Sequence, residues 1–278
     1  AAKALQDWPL YNGQESSTRY LDFSKVHMQN PLGTKKAARV QEQWMDLYNK
    51  AIDRLIIDLK EKNPLKPGEK LEMYDKAIKA RAFDISRCFL PAGMTTMVAW
   101  HTNLRQAADH LKVMRHHPLQ EVRDLAETIT TQLQSKYPNS FGHKKYPDEE
   151  AYLESMQKDL SYQKPFAIKK LEYKSFLRKK QIARYAKALK KRPAKSELPY
   201  QSRSCGDIVF RFPLDFGSYR DLQRQRSMTA PMPLLTTKLG FHPWYLSQFP
   251  KDFQPYLKKE IASMAKEIKA LPCDDTTK

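Results

Sequence analysis

A long amphipathic pattern between residues 34 and 61 limits most strongly how this chain can fold. Apolar side chains recur there at steps of three or four residues, with charged residues between them. The members of this apolar stripe are Val40, Trp44, Leu47, Ala51, Leu55 and Leu59. The segment from Asn63 to Gly68 contains two prolines, which stop a helix because proline has no backbone N–H. The pattern therefore predicts one long helix that packs through a single face.

The other periodic segments predict a mixture of helices and strands. Helices are expected over 69–83, over 103–115, from Pro118 onward and over 256–271. Apolar and polar residues alternate over 207–212 and, more ambiguously, over 95–102, which predicts strands. Glycine is rare, with eight residues against eighteen prolines, so flexible tracts should be few. Since no run of eighteen apolar residues occurs, the sequence predicts no transmembrane segment.

The charge of the chain points to an anionic partner. Its formal net charge is +18 and its pI is near 9.6, a balance that favours nucleic acid, nucleotides, anionic lipid or an acidic protein surface. The three cysteines, Cys88, Cys205 and Cys273, are too widely spaced for a zinc site or a disulfide framework and fit a reducing compartment. Ala1 is either the start of a mature form after removal of a targeting segment or a cloning boundary.

The strongest local charge lies between Lys169 and Arg192. This stretch holds eleven Lys and Arg and one acidic residue, Glu172. A narrow apolar stripe from Ile182 to Leu189 predicts a helix that ends at Pro193. A solvated face, a protein-binding face, and contact with RNA or anionic lipid remain open for this stretch.

The histidines and tryptophans are predicted to have structural and not catalytic or metal-binding roles. His110, His116 and His117 cluster in sequence, but their spacing suits no metal site, so the sequence predicts no metal and a surface or core role for the three imidazoles. The tryptophans Trp44, Trp100 and Trp244 are predicted to lie in the core.

Two short segments carry most of the chemistry-bearing residues of the first half. Residues 14–20 read Gln-Glu-Ser-Ser-Thr-Arg-Tyr, and residues 86–91 read Ser-Arg-Cys-Phe-Leu-Pro. Asn103 and Arg105 follow, and Arg115 comes one predicted helix later. Their order and spacing resemble the signatures Asn-Glu-x-Ser-x-Arg-Tyr, Ala-Arg-x-x-Leu-Pro and Asn-x-Arg of flavin-dependent thymidylate synthases. The first two signatures each differ here at their first residue.

The resemblance implies a nucleotide site and a flavin site. The residues at the positions that bind deoxyuridylate are Glu15, Ser17, Arg19, Arg87 and Arg115. Arginine suits a phosphate because its planar guanidinium binds two oxygens at once. Asn103 would contact the FAD cofactor, and Cys88 would need no catalytic role.

The motif that precedes the first signature in the family is not kept in this sequence. The family places an Arg-His-Arg motif shortly before the first signature, and counting back here gives Asp7-Trp8-Pro9. An acid, an indole and a proline replace two cations and an imidazole, so this copy of the motif cannot attract the pyrophosphate of FAD.

A second version of the motif lies near the end of the chain. Residues 207–226 resemble the strand and helix that lead into Arg-His-Arg, written here as Arg224, Gln225 and Arg226. Glutamine keeps a donor and an acceptor but cannot carry charge. Ser218 is expected to cap a helix that carries Arg220 and both arginines of the motif.

The resemblance therefore implies a trimmed tandem protein. Residues 1–160 correspond to the middle and C-terminal part of one family domain, residues 161–205 to a basic helical linker, and residues 206–278 to the front of a second copy. The implied fold is α/β (α+β), with a mixed, mostly antiparallel sheet flanked by long helices as in thymidylate synthase complementing proteins. A composite site between the halves is conceivable because family sites form between subunits.

Three functions follow as hypotheses. The first is a degenerate relative that is a structural or accessory subunit of a large assembly on the matrix side of the mitochondrion, with a respiratory complex and the mitochondrial ribosome as candidates; a cytoplasmic location is the alternative. The second is an active FAD-dependent thymidylate synthase, which methylates deoxyuridylate (dUMP). The third is a nucleotide or RNA binder that keeps only the phosphate pocket.

Overall fold

The computed structural model describes residues 1–16, 23, 26–166, 168, 170–225, 227–275 and 277. The chain divides into two compact units, of which unit 1 comprises residues 1–165 and 216–278 and unit 2 comprises residues 166–215. These units are defined by contacts within this chain. They are a different kind of division from the predicted family copies 1–160 and 206–278 and the linker 161–205, which stay a prediction.

Helices dominate unit 1, and unit 2 contains shorter ones. Their bounds are α1 (Ala2–Gln6), α2 (Lys35–Lys62), α3 (Leu71–Ser86), α4 (Leu104–Met114), α5 (Gln120–Lys136), α6 (Pro138–Phe141), α7 (Pro147–Leu160), α8 (Lys179–Ala183), α9 (Ala186–Lys190), α10 (Phe216–Leu222), α11 (Pro243–Ser247) and α12 (Gln254–Lys269). Short 3₁₀ helices cover Arg87–Phe89, Tyr200–Cys205 and Thr237–Leu239. Among the residues described, no helix is both long and apolar enough to cross a bilayer.

Helix α2 confirms the long helix predicted from the amphipathic pattern of residues 34–61. The hydroxyl of Thr34 accepts a hydrogen bond from the backbone N–H of Ala37 at 3.2 Å and caps the helix. The helix ends at Lys62, with Asn63 as its C-cap directly before the first proline. The apolar stripe, with Leu47, Ala51 and Leu55 almost fully buried, packs against α3 and α12.

Two antiparallel pairs of strands complete the elements. In unit 1, β1 (Asn12–Glu15) pairs with β2 (Val98–His101), and in unit 2, β3 (Glu172–Ser175) pairs with β4 (Ile208–Arg211). One isolated parallel bridge joins Gln163 to Pro233. The strand predicted within 95–102 is confirmed, and so is the α/β (α+β) class, with short antiparallel pairs beside long helices.

One core cluster draws on both ends of unit 1. Phe89, from the Leu-Pro segment, is 1% exposed and stacks on Phe241 with ring centroids 5.4 Å apart. Its ring also lies 5.8 Å from that of Phe249. Phe23, which follows the first signature, belongs to the same cluster. Apolar burial therefore joins residues of the first half to residues near the end of the chain.

The contact between Phe89 and Phe241 gives a prediction that tests this shared core. In a double-mutant cycle with Phe89→Leu and Phe241→Leu, the two losses of unfolding free energy should differ from additivity by about 0.5–1.5 kcal/mol. Urea unfolding of the four proteins measures this coupling. Phe89→Leu combined with Leu111→Ala is the control, since Leu111 lies in a separate core cluster. Coupling as small as in this control would contradict the stacked contact.

Unit 2 corrects one prediction. The stretch from Lys169 to Arg192 is not one helix: it contains β3 and two helices of five residues each, α8 and α9. The physical reason is that adjacent cations repel one another along a helix, and the apolar stripe is too narrow to bury one continuous face.

Two further corrections concern unit 1. Helix α10 begins at Phe216, before the predicted cap Ser218, and ends at Leu222, so Arg224 lies beyond the helix. Trp244 is 44% exposed at the start of α11, against the prediction of a core position, and the guanidinium of Arg81 lies 6.0 Å from its ring centroid. Trp44 and Trp100 are partly buried and pack against the two core clusters.

Candidate functional site

Glu15, predicted to bind the nucleotide, lies at the end of β1 in a buried ionic cluster. Its carboxylate is 10% exposed. Lys3 Nζ donates to Oε2 at 2.7 Å, Gln6 Nε2 donates to Oε2 at 3.2 Å, and Arg220 Nη2 donates to Oε1 at 3.1 Å. Both carboxylate oxygens are thus bound by groups of the same chain, one of which comes from α10.

The electrostatics of this cluster hold Glu15 ionised. Burial alone would raise the pKa of the Glu15 carboxyl, but hydrogen bonds and charges from Lys3, Arg220 and Gln6 bring it below its ordinary value. Burial lowers the pKa of the Lys3 ammonium; Glu15 opposes this, and the nearby charges of Arg220 and Arg224 add to the lowering. The buried carboxylate is therefore the counter-ion of a local excess of positive charge.

Beside this cluster, the residue that precedes the second version of the Arg-His-Arg motif contacts the altered first version. Gln223, which directly precedes Arg224, donates through Nε2 to Asp7 Oδ1 and to the Lys3 carbonyl, both at 3.4 Å. Asp7 occupies the first position of the altered motif in the first half. A residue directly before the second version of the motif therefore contacts the first position of the altered one, and the composite site itself stays a prediction.

The middle position of the altered motif is filled by an aromatic stack. The ring of Trp8 stacks on His110, with ring centroids 4.5 Å apart, and Trp100 meets His110 edge-on at 5.8 Å. His110 Nε2 lies 3.1 Å from the Leu5 carbonyl oxygen. Burial lowers the pKa of His110 to about 4, so the neutral imidazole donates this hydrogen bond at pH 7.

Arg87 begins the 3₁₀ turn that follows α3. Its Nη1 lies 3.8 Å from Asp84 Oδ1, and its side chain is 26% exposed. Nε is buried and has no hydrogen-bond partner among the described residues. This long ion pair leaves much of the guanidinium able to bind an oxyanion.

Backbone hydrogen bonds tie Ser16 of the first signature, and His27 beyond it, to the segment that follows Arg87. The N–H of Ser16 donates to the Met97 carbonyl at 3.0 Å, and the N–H of Thr95 donates to the His27 carbonyl at 3.2 Å. Both ends of the segment between Ser16 and His27 are therefore held by residues only two positions apart, directly before β2. Ser17 and Arg19 themselves lie outside the described residues.

Arg115, the last predicted nucleotide-binding residue, is held by an acid of the same unit. Its Nη2 lies 3.0 Å from Glu150 Oε1 and 3.3 Å from Oε2, and its side chain is 14% exposed. His116 Nε2 contacts the same carboxylate at 3.1 Å. Helix α7 thus supplies a counter-ion where the resemblance expects a substrate phosphate.

The positions expected to bind FAD do not gather around one cradle. Asn103 uses its side-chain oxygen to cap α4, where it accepts from the Gln106 N–H at 2.9 Å. Arg224 is 67% exposed and 3.8 Å from Asp221, and Gln225 is exposed as well. Arg226 lies outside the described residues. The described residues therefore do not fit a site for the FAD pyrophosphate formed by this chain alone.

The strand register also separates Asn103 from Arg220, which stands four residues before Arg224. Asn103 follows the end of β2 that pairs with Asn12, whereas Arg220 reaches Glu15 at the other end of β1. Three residues of strand span about 10 Å. Arg220 and Asn103 are therefore attached at opposite ends of the β1–β2 pair.

The histidine cluster has the structural role expected of it. His110 and His117 are buried, and His116 pairs with Glu150. Burial, assisted by nearby positive charge, lowers the pKa of His117 to about 4, and its Nδ1 accepts from the Leu119 N–H at 3.1 Å. Within the described part of the chain, no group of three His, Cys, Asp or Glu side chains could hold a metal ion.

The main partners of Glu15 were missed in sequence. Lys3 and Gln6 lie on one short helix and match no family segment quoted above. Arg220 carried a signal, because it stands four residues before Arg224, but its predicted role was only to share a helix with that motif. Pairing across more than two hundred residues gives no local pattern.

Comparison with known proteins agrees with the resemblance. Residues 4–139 match the family model described as thymidylate synthase complementing protein. A curated relative, a UPF0159 protein of Chlamydia muridarum (strain MoPn / Nigg), is 25% identical over an alignment of 301 residues. That alignment covers 87% of this chain and 56% of the relative, so the chain spans a little over half of that protein's length.

Proposed function

Because residues 4–139 match the thymidylate synthase complementing protein family, we propose that the protein is thymidylate synthase-like and has a structural role. In this proposal, positions that bind nucleotide and flavin in the flavin-dependent enzymes now stabilise the fold. The protein acts as an accessory subunit of a larger assembly. Its location is the matrix side of the mitochondrion, and a respiratory complex and the mitochondrial ribosome are the candidate assemblies.

The observation that carries the proposal is the state of Glu15. A carboxylate binds a substrate only if the substrate can take the place of its present hydrogen-bond donors. Lys3, Gln6 and Arg220 occupy both carboxylate oxygens of Glu15. The cluster is buried, so opening it would expose unpaired charges to a low-dielectric interior. An intramolecular bridge of this kind favours stability over nucleotide exchange.

Two further contacts support the same proposal. Arg115 is bound by Glu150, and Trp8 stacks on His110 where the family has its Arg-His-Arg motif. Glu150 thus occupies an arginine that could attract phosphate, and Trp8 stands where the family has a histidine between two arginines. The net charge of +18 supports an assembly with an anionic component.

The proposal predicts how the protein behaves when it is purified from its source. It should migrate with a large complex, lack the visible absorbance of a flavin, and take up no FAD in equilibrium dialysis. Migration alone as a small homo-oligomer would exclude the accessory role. A yellow protein that binds FAD stoichiometrically would favour the active enzyme.

An active FAD-dependent thymidylate synthase is the second candidate, and Arg87 is the observation that favours it. Its guanidinium has only a long ion pair and a buried Nε without a partner among the described residues. If this candidate holds, Arg87→Ala should weaken dUMP binding about tenfold or more, since a hydrogen bond to a charged group contributes about 1.5–3 kcal/mol. Calorimetric titration with dUMP measures this.

Arg39→Ala is the matched control, because Arg39 is an exposed arginine on α2, outside the signature segments. The accessory role predicts that dUMP binds neither variant nor the parent. Equal binding to all three proteins would count against a site at Arg87. The enzyme candidate therefore requires a loss that is confined to Arg87→Ala.

A further inference from the structure

Unit 2, residues 166–215, carries more than half of the net charge on less than a fifth of the chain. It contains fourteen Lys and Arg against four Asp and Glu, a net +10 of the total +18. Every described Lys and Arg of this unit is exposed. Among its described residues, no ion pair neutralises any of these cations. Such a concentration of accessible positive charge needs an anionic partner or a large shell of counter-ions.

The antiparallel pair of β3 and β4 adds aromatic surface to this charge. Tyr173 and Phe210 are directly opposed in the register, so their side chains lie on the same face of the strand pair. Their ring centroids are 6.2 Å apart, and the residues are 67% and 55% exposed. All eight residues of the two strands are exposed. A two-stranded pair exposed on both faces is marginal in water, which indicates that a partner covers it.

Another aromatic residue of the unit has a cation beside it. Tyr200 is 74% exposed, and the Arg203 guanidinium lies 5.0 Å from its ring centroid. Exposed cations and accessible rings therefore alternate along the sequence of this unit. On the strand pair itself, Lys174 and Arg211 lie on the face opposite Tyr173 and Phe210.

The combination of exposed cations and exposed rings favours nucleic acid over a membrane surface as the partner of unit 2. An interfacial helix needs a long apolar face opposite its charges, but α8 and α9 are five residues each and expose most of their side chains. Proteins that bind single strands combine cations that follow the phosphates with rings on which bases stack. The unit has both elements.

We propose that unit 2 binds single-stranded RNA, with Tyr173 and Phe210 as the stacking surface and Lys179 and Lys180 among the phosphate contacts. All of these residues lie outside the segment that matches the family, residues 4–139. The proposal is therefore independent of the role assigned to unit 1, and either can fail while the other stands.

Fluorescence anisotropy of the full chain with a labelled 20-mer of uridylate tests the electrostatic part. Log affinity should fall linearly with log salt concentration. Lys179→Ala with Lys180→Ala should reduce that slope by about 1.4, since each phosphate contact on a single strand contributes about 0.7. The matched control is Lys258→Ala with Lys259→Ala, two adjacent exposed lysines on α12, which should keep the parent slope.

The stacking part is tested with Tyr173→Ala and Phe210→Ala. Each change should weaken binding about fivefold or more without changing the salt slope, because base stacking contributes about 1–3 kcal/mol per base. Tyr146→Ala and Tyr152→Ala are the controls, with similarly exposed tyrosines in unit 1. The proposal is overturned if the RNA does not bind, if controls and test variants lose affinity equally, or if vesicles of phosphatidylserine bind and displace the RNA.

Discussion

Acidification from pH 7 to pH 4 is expected to remove about 3 kcal/mol from the unfolding free energy for each of His110 and His117. Both imidazoles are buried, and burial lowers each folded pKa to about 4 from an ordinary value of 6.5. Between these two values the unfolded chain binds more protons than the folded chain. Stability therefore rises with pH across this window and is lost as the pH falls through it.

Urea unfolding at half-unit pH steps measures this loss, and NMR titration of the imidazole resonances assigns it. His110→Gln should flatten about half of the dependence and should itself destabilise the protein at pH 7, because it removes the stack with Trp8. His143→Gln is the control: it removes an exposed imidazole and should keep the full dependence. Resonances of His110 and His117 that titrate near pH 6.5 would contradict the buried neutral state.

The second large effect is expected at Glu15. Glu15→Gln should lower the unfolding free energy at pH 7 by about 3 kcal/mol, since it leaves two largely buried cations without their counter-ion. Lys3 and Arg220 have side chains that are 16% and 21% exposed, so water can compensate only in part. Urea unfolding of both proteins at the same ionic strength gives the difference.

Glu72→Gln is the matched control for this change. Glu72 pairs with Lys76 on the surface of α3, where both side chains are more than 60% exposed, and the loss should stay below about 0.5 kcal/mol. A loss at Glu15 as small as in this control would remove the argument that the position has become structural. Tight dUMP binding by the parent protein that is abolished in Glu15→Gln would favour the enzyme instead.

Long local patterns made the fold partly predictable. The stripe from Val40 to Leu59 predicted α2, and the prolines after Asn63 predicted its end. The prediction of one helix from Lys169 to Arg192 was wrong. Periodicity shows which face of a helix is apolar but not whether that face is wide enough to be buried. The prediction of a core position for Trp244 was wrong, because a large apolar side chain can also lie exposed beside a cation such as Arg81.

The candidate site was predictable in its parts but not in its contacts. The spacing around Glu15 and Arg87 identified the family, since those segments are contiguous in sequence. What each side chain binds depended on residues far away: Arg220 reaches Glu15, and Glu150 reaches Arg115. An ion pair needs only two complementary groups at one point in space, so it imposes no pattern on the chain between them.

The sequence by itself determined the long helix, the class of fold, the family segments and the concentration of charge in unit 2. Each of these is a property of neighbouring residues or of composition. Tertiary structure alone decided that Gln223, the residue before the second version of the motif, contacts Asp7 of the first version beside a largely buried carboxylate. Folding brings these distant segments into contact, and the burial of Glu15 with Lys3 and Arg220 makes their charges interdependent.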